Sequence, residues 1–150
     1  MILDDIVEHK KKELLEAKAD LPLEDLTSRL ADVPPALNFI ELNKKHKGTK
    51  IISEVKKASP SKGVIREDFD HLSIAKQYID WGAFAISILT DKKFFQGDIE
   101  FLSDIRKISD IPLLRKDFTI DPYHIYEARY YGADIILLIV AALELDEIIE

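Results

Sequence analysis

Short apolar, β-branched stretches open near residues 51, 84, 112 and 134, each separated from the next by a segment with helical spacing. An interval of roughly 30 residues is that of a βαβ unit, whose strands pair in parallel through right-handed crossovers. The spacing predicts strands at about 51–56, 84–90, 112–117 and 134–140. A Ser-Pro-Ser loop follows the first strand, and helical spacing then appears at Leu72, Ala75, Tyr78 and Ile79. A second helix is expected over Asp98 to Ile108, with Phe101, Leu102 and Ile105 turned inward. Asp121-Pro122 supplies an N-cap followed by proline at the first helical position, so a third helix should start there and run to about Tyr131. Gly82-Ala83 and Gly132-Ala133 occupy equivalent helix-to-strand junctions, where glycine can take the left-handed conformation that ends a helix.

Residues 1–47 read differently, as a helical extension. Ile2, Leu3, Ile6, Val7, Leu14 and Leu15 fall on one side of a helix over 2–19, with lysines in its middle, and Pro22 closes it. Shorter helices are expected over Leu23 to Leu30 and Asn38 to His46, separated by Pro34-Pro35. The strands and helices of 48–150 join this extension in a single domain, 1–150.

Two α/β folds share the grammar, a doubly wound open sheet and a (βα)8 barrel. Neither G-x-G-x-x-G nor G-x-x-x-x-G-K follows any strand, so the nucleotide-binding open sheet lacks support and the TIM-barrel type is favoured. A complete barrel has eight units and typically ~250 residues. Four units fit here, so a partial barrel, truncated inside its fourth helix, is expected, with two exposed edge strands through which chains could self-associate.

Bulk properties narrow the partners. A net charge of −7 and a pI near 5.1 argue against nucleic acid, whose binding surfaces are basic. The N-terminus has no signal-peptide core, and the longest apolar run, Ile135 to Leu143, is about half of what spans a bilayer, so no membrane partner and a cytoplasmic location are expected. The absence of cysteine excludes disulfides and thiolate metal sites. His9, His46, His71 and His124 have no ligand spacing; the first three read as solvated and His124 falls in the first turn of a helix. Neither metal nor organic cofactor is called for.

Charges inside the predicted strands are the chemical signal. Glu54 and Lys56, two apart, share a strand face. A parallel strand covered on both sides tolerates such charges only when they are paired, and a structural ion pair explains them as well as a site does. Arg115, Lys116 and Asp117 repeat the anomaly at the carboxyl end of the third strand, where catalytic groups sit in (βα) barrels. Ser59, Pro60, Ser61, Lys62 and Gly63 form a loop suited either to an anion or to plain connection. Phe94 and Phe95, after the second strand, can cover a flat ring or pack on a neighbouring loop.

Taken in order, EVKKASPSKG (Glu54 to Gly63), ISILTDKKFFQG (Ile86 to Gly97), LLRKDFTID (Leu113 to Asp121) and GADIILLIV (Gly132 to Val140) resemble successive strand-and-loop signatures of indole-3-glycerol-phosphate synthases. The helical extension is similar too, so the resemblance covers the N-terminal portion of that family. It implies a carboxy-lyase of tryptophan biosynthesis that closes the ring of 1-(2-carboxyphenylamino)-1-deoxyribulose 5-phosphate, releasing CO2 and water. By this resemblance the catalytic group is Lys116, Glu54 and Lys56. Lys116 is the general acid at the carbonyl oxygen, Glu54 orients and tunes the ammonium groups, and Lys56 with Ser59 holds the anionic end of the substrate. Phe95 and Phe118 line the place of the anthranilate ring, with Pro60 and Ser61 in the adjoining loop. The family's general base and phosphate-binding glycine loops come from later strands, so the 150-residue chain alone is expected to be inactive. Two other readings stand beside this one: a non-catalytic half-barrel that acts as an assembly module, and a Schiff-base aldolase with Lys116 as nucleophile.

Overall fold

The computed structural model describes residues 2–149. In chain order the elements are helices α1 (Ile2–Asp20) and α2 (Leu23–Arg29), a 3-10 turn at Leu30–Asp32, and helix α3 (Phe39–Lys45). Strand β1 (Ile52–Val55), the short strands β2 (Ala58–Ser59) and β3 (Gly63–Val64), helix α4 (His71–Asp80) and strand β4 (Ala85–Leu89) follow. Then come α5 (Lys92–Phe95), α6 (Glu100–Arg106), β5 (Leu113–Lys116), α7 (Pro122–Tyr130), β6 (Ile135–Ile136), a 3-10 turn at Val140–Ala142 and α8 (Leu145–Ile149).

β1, β4, β5 and β6 form one parallel sheet in that order, so all four carboxyl ends lie on one side. Alternation along the strands separates two faces. Val55, Ile86, Ile88 and Leu113 pack with Ile74 and Ala75 of α4, Leu102 and Ile105 of α6 and Ala128 of α7, which makes the main core. Residues at the intervening positions, Glu54, Ser87, Leu114 and Lys116, therefore face the other way, toward what is the interior of a barrel. β4 is buried along its whole length because it has a strand on either side and helices behind it. The architecture is a partial (βα)8 barrel with helices on the outer face of the sheet.

Local chemistry sets the element ends. Asp70 caps α4 by accepting from the Leu72 and Ser73 amides, and Asp121 caps α7 through the Tyr123 amide with Pro122 in the first turn. At the two Gly-Ala corners, Gly82 and Gly132 have φ of 79° and 96°, and Ala83 and Ala133 donate back to the carbonyls of Tyr78 and Ala128, as a left-handed helix end requires. Asp134, just after the second corner, accepts from the amides of Leu37 and Leu113 and from Arg106, tying the extension to β5.

The extension docks on α7. Leu14 and Leu26 pack on Tyr123, whose hydroxyl lies 3.1 and 2.9 Å from the carbonyl oxygens of Ala17 and Leu21, and Lys18 bonds Asp121 at 2.8 Å.

Several expectations are corrected. The fourth strand, expected over 134–140, pairs only at Ile135 and Ile136, opposite Leu114 and Arg115, and the chain then runs on unpaired into the 3-10 turn at Val140–Ala142. The loop after β1 is a small hairpin, with Ala58 opposite Val64 and Ser59 opposite Gly63, closed by the Lys62 amide on the Ser59 carbonyl. The loop after β4 contains the single-turn helix α5, which Asp91 caps. On α1, Ile2 and Leu15 are exposed while Lys10 is buried, since acidic partners await it there. His71 is not a solvated side chain: it stacks on Phe101 at 4.2 Å and lies 3.2 Å from Asp104. His9 sits edge-on to Phe94 and 3.2 Å from Glu13.

Candidate active site

At the carboxyl ends of β1 and β5, two ammonium groups meet one carboxylate. Lys56 Nζ lies 2.7 Å from Oε1 of Glu54, and Lys116 Nζ lies 3.1 Å from Oε2. The sheet register explains the encounter: Glu54 is level with Ser87, and Lys116 lies one residue-pair further along the same face. Ser87 adds its hydroxyl, 3.4 Å from Oε2, and the Tyr78 hydroxyl donates to the Glu54 backbone carbonyl at 3.2 Å. Partial burial disfavours the Glu54 anion, but hydrogen bonds from Lys56 and Lys116 outweigh it and hold the carboxyl below its usual range. All three side chains remain about one-third exposed, at 28%, 35% and 38% for Glu54, Lys56 and Lys116, so a ligand can reach them. The arrangement offers two positive donors to an anion or carbonyl oxygen, with a carboxylate that orients both.

Phe95, from α5, and Phe118, directly after β5, bring their rings to 6.3 Å, tilted by 40°. Both are half-buried. Ser59, in the first strand of the hairpin, is half-buried and abuts α5, while Pro60 and Ser61 are exposed at the turn. Thus Glu54, Lys56 and Lys116 converge, Phe95 meets Phe118, and the hairpin brings Ser59 to the helix that carries Phe95.

The outer face of the same strand end holds a second ionic cluster, in which Arg115 and Asp117, singled out in the sequence by their charge, meet partners from other elements. Arg115 points away from Lys116 and bonds Asp117, Glu127, the Thr90 hydroxyl and the His124 carbonyl. Asp117 also accepts from Thr90 at 2.6 Å and from Lys10 of α1 at 3.0 Å, and Lys10 reaches Asp91 at 3.1 Å. Burial opposes the Asp117 anion, yet Arg115 and Lys10 hold its carboxyl well below the ordinary range. His124 is pushed down to about 4, first by burial and then by Arg115, and its Nδ1 accepts the Ile120 amide, which fixes the neutral ring. Asp91 and Asp117 stand just past strand ends, a signal available in the sequence. Lys10 and Ser87 gave none, for a lysine on an amphipathic helix and a serine in a strand are ordinary.

Parallel strands with outward helices, charged groups gathered at their carboxyl ends and an aromatic pair beside them define a (βα)-barrel protein whose site lies on the carboxyl-end face. The family model for indole-3-glycerol phosphate synthase matches residues 3–150. An indole-3-glycerol phosphate synthase of Campylobacter jejuni subsp. jejuni (strain 81-176) is 53% identical over 150 residues, covering 99% of this chain and 58% of the relative. Those of Thermoanaerobacter pseudethanolicus and Trichodesmium erythraeum are 49% and 52% identical over 143 residues, covering 95% of this chain and 54% and 48% of the relatives. The chain belongs to the indole-3-glycerol phosphate synthase family, and it spans about half the length of the curated relatives it matches. None of its described helices is long and apolar enough to cross a membrane.

Proposed function

We propose that this chain supplies the acid side of an indole-3-glycerol-phosphate synthase site, a carbon-carbon lyase that acts in the cytoplasm. The substrate, 1-(2-carboxyphenylamino)-1-deoxyribulose 5-phosphate, presents a ketone, two anionic ends and an aromatic ring. In ring closure the ring carbon bearing the carboxylate attacks the ketone carbon. Lys116 protonates the ketone oxygen as that bond forms, CO2 departs from the ring carbon, and the new hydroxyl then leaves as water while an adjacent proton is removed. Lys56 anchors the substrate carboxylate with help from Ser59, and Glu54 holds both ammonium groups in place. Phe95 and Phe118 line the place of the anthranilate ring, with Pro60 and Ser61 at the rim.

The observation that carries this reading is the bridging of the two lysines by opposite oxygens of Glu54 at the carboxyl ends of β1 and β5. An acid acting in the transition state contributes about 10²–10⁴-fold. In a complete barrel containing this chain, Lys116→Ala is therefore expected to lower kcat by that order while KM changes little. Turnover followed by indole fluorescence tests it, and an unchanged kcat would overturn the assignment.

A further inference from the structure

Lys10 belongs to the amino-terminal helix, yet its ammonium is buried at the carboxyl ends of β4 and β5. It is 4% exposed, and besides Glu13 of its own helix it holds the carboxylates of Asp91 and Asp117 at 3.1 and 3.0 Å. Each of those carboxylates also fixes the backbone of an aromatic residue of the candidate site. Asp91 Oδ1 accepts the amides of Phe94 and Phe95 at 2.7 and 3.3 Å, and Asp117 Oδ1 accepts the Phe118 amide at 2.8 Å.

The loop that carries Phe95 has no slack. Its ends are joined by the Gly97 amide on the Asp91 carbonyl at 2.8 Å. Gly97 lies so close to β4 that a Cβ there would come within 2.2 Å of the Leu89 carbonyl oxygen. A shift of Asp91 must therefore carry α5 and Phe95 with it. Helix α1 grips the same turn a second time, through the His9 ring edge-on to Phe94 at 5.8 Å.

We propose that Lys10 is a positioning residue: by clamping Asp91 and Asp117 together it sets the separation of Phe95 and Phe118, and so governs recognition of the substrate's aromatic ring from the amino-terminal extension. Only the identity of the ligand in that slot rests on the function proposed above. The clamp itself is a statement about Lys10 and two rings. A merely structural ion cluster would support the whole site evenly, whereas a clamp on the two aromatic residues acts on the ring-binding part and spares the anion anchors.

The experiment uses the 150-residue chain, selectively labelled at phenylalanine, as wild type and as Lys10→Met. Far-UV circular dichroism and amide protection of β4 report that the fold is kept. Where Lys10→Met does not fold, Lys10→Met with Asp91→Asn removes one charge of each sign and retains a capping carbonyl oxygen. Two probes are then titrated calorimetrically: the substrate with its ketone reduced to the alcohol, which cannot cyclise, and ribulose 5-phosphate, which lacks the ring. The nuclear Overhauser contact between the Phe95 and Phe118 rings should be lost in the variant. Affinity for the ring-bearing probe should drop by about 10-fold, the scale of a lost aromatic contact, while ribulose 5-phosphate changes by less than about two-fold, as expected of an independent site. A retained ring contact, or equal weakening of both probes, overturns the proposal. If the wild-type chain binds neither probe, the proposed substrate fails, and the ring contact alone decides whether Lys10 is the clamp.

Discussion

Glu54 and Lys116 are 62 residues apart in sequence and 3.1 Å apart in space, and Lys56 bonds the other oxygen of the same carboxylate. One acid thus aims two ammonium groups. Removing its charge while keeping its shape separates aim from chemistry. In a complete barrel, Glu54→Gln is expected to lower kcat by about 10²-fold, the lower end of what a positioned acid provides. Combined with Lys116→Ala it should cost little more, because groups that act as a unit are not additive. Strictly multiplicative losses in this double-mutant cycle would show that Glu54 does not work through Lys116.

Lys56 should behave differently. An anchor holds the ground state and the transition state alike, so Lys56→Ala is expected to raise KM by about 10-fold or more while kcat stays within a few-fold. Steady-state kinetics checks this. A signature like that expected of Lys116→Ala would mean that the two lysines exchange roles.

Acid sensitivity follows from His124. Its folded value of about 4 lies below the ordinary 6.5, so between these values the unfolded chain takes up a proton that the folded chain refuses. Stability should fall as pH drops from about 6.5 to about 4, by up to about 3 kcal/mol from this group. Asp117 adds a further loss below the ordinary aspartate range, where its unfolded carboxyl takes up a proton and its folded one does not. Urea unfolding at several pH values measures the slope. His124→Asn should flatten the upper part of the profile, and an unaltered slope would show that another group carries it.

The outer ionic cluster can be broken by halves. Arg115→Met leaves Asp117 with Lys10 as its remaining charged partner and strands Glu127, so a destabilisation of about 3–5 kcal/mol is expected, the cost of breaking a buried pair from one side. Arg115→Met with Asp117→Asn should recover part of that loss. Thermal denaturation of both variants provides the comparison, and a double variant weaker than the single one would contradict the charge-balance account.

On the function proposed above, the described residues of this chain offer an acid but no good base. Glu54 is the carboxylate bonded to both lysines, and they hold it below its usual range. Turnover of authentic substrate by this chain should be at least about 10²-fold below that of a complete barrel, the share typical of one missing acid-base group. Rates equal to the complete barrel would mean that this chain supplies its own base, with Glu54 the first residue to mutate.

What could be read beforehand divides along physical lines. Strands β1, β4 and β5 were legible because β-branched runs must be buried, and the Gly-Ala corners marked where helices end. Glu54, Lys56 and Lys116 stood out because charges contradict the interior of a parallel strand. The hairpin at Ala58 to Val64 and the turn of α5 were not legible, since two to four residues are too few to show a period. Lys10 was hidden for another reason: nothing near it in sequence reveals that Asp91 and Asp117 will neutralise it. The end of β6 was misjudged because an apolar run says what can be buried but not where a neighbouring strand stops.

The docking of the amino-terminal helix on Tyr123 and Asp121 bears on how the chain is made. Ala17 and Lys18 find their partners 106 and 103 residues later in the sequence. At translation speeds of about 5–20 residues per second, helix α1 leaves the ribosome some 5–20 seconds before α7 exists. Throughout that interval Leu14 lacks Tyr123, and Lys10 gains Asp91 and Asp117 only late in it, so the first segment synthesised is among the last to find its place. A nascent chain paused just short of residue 121 should therefore expose α1 to proteases and chaperones, and one extended beyond residue 130 and clear of the exit tunnel should hide it.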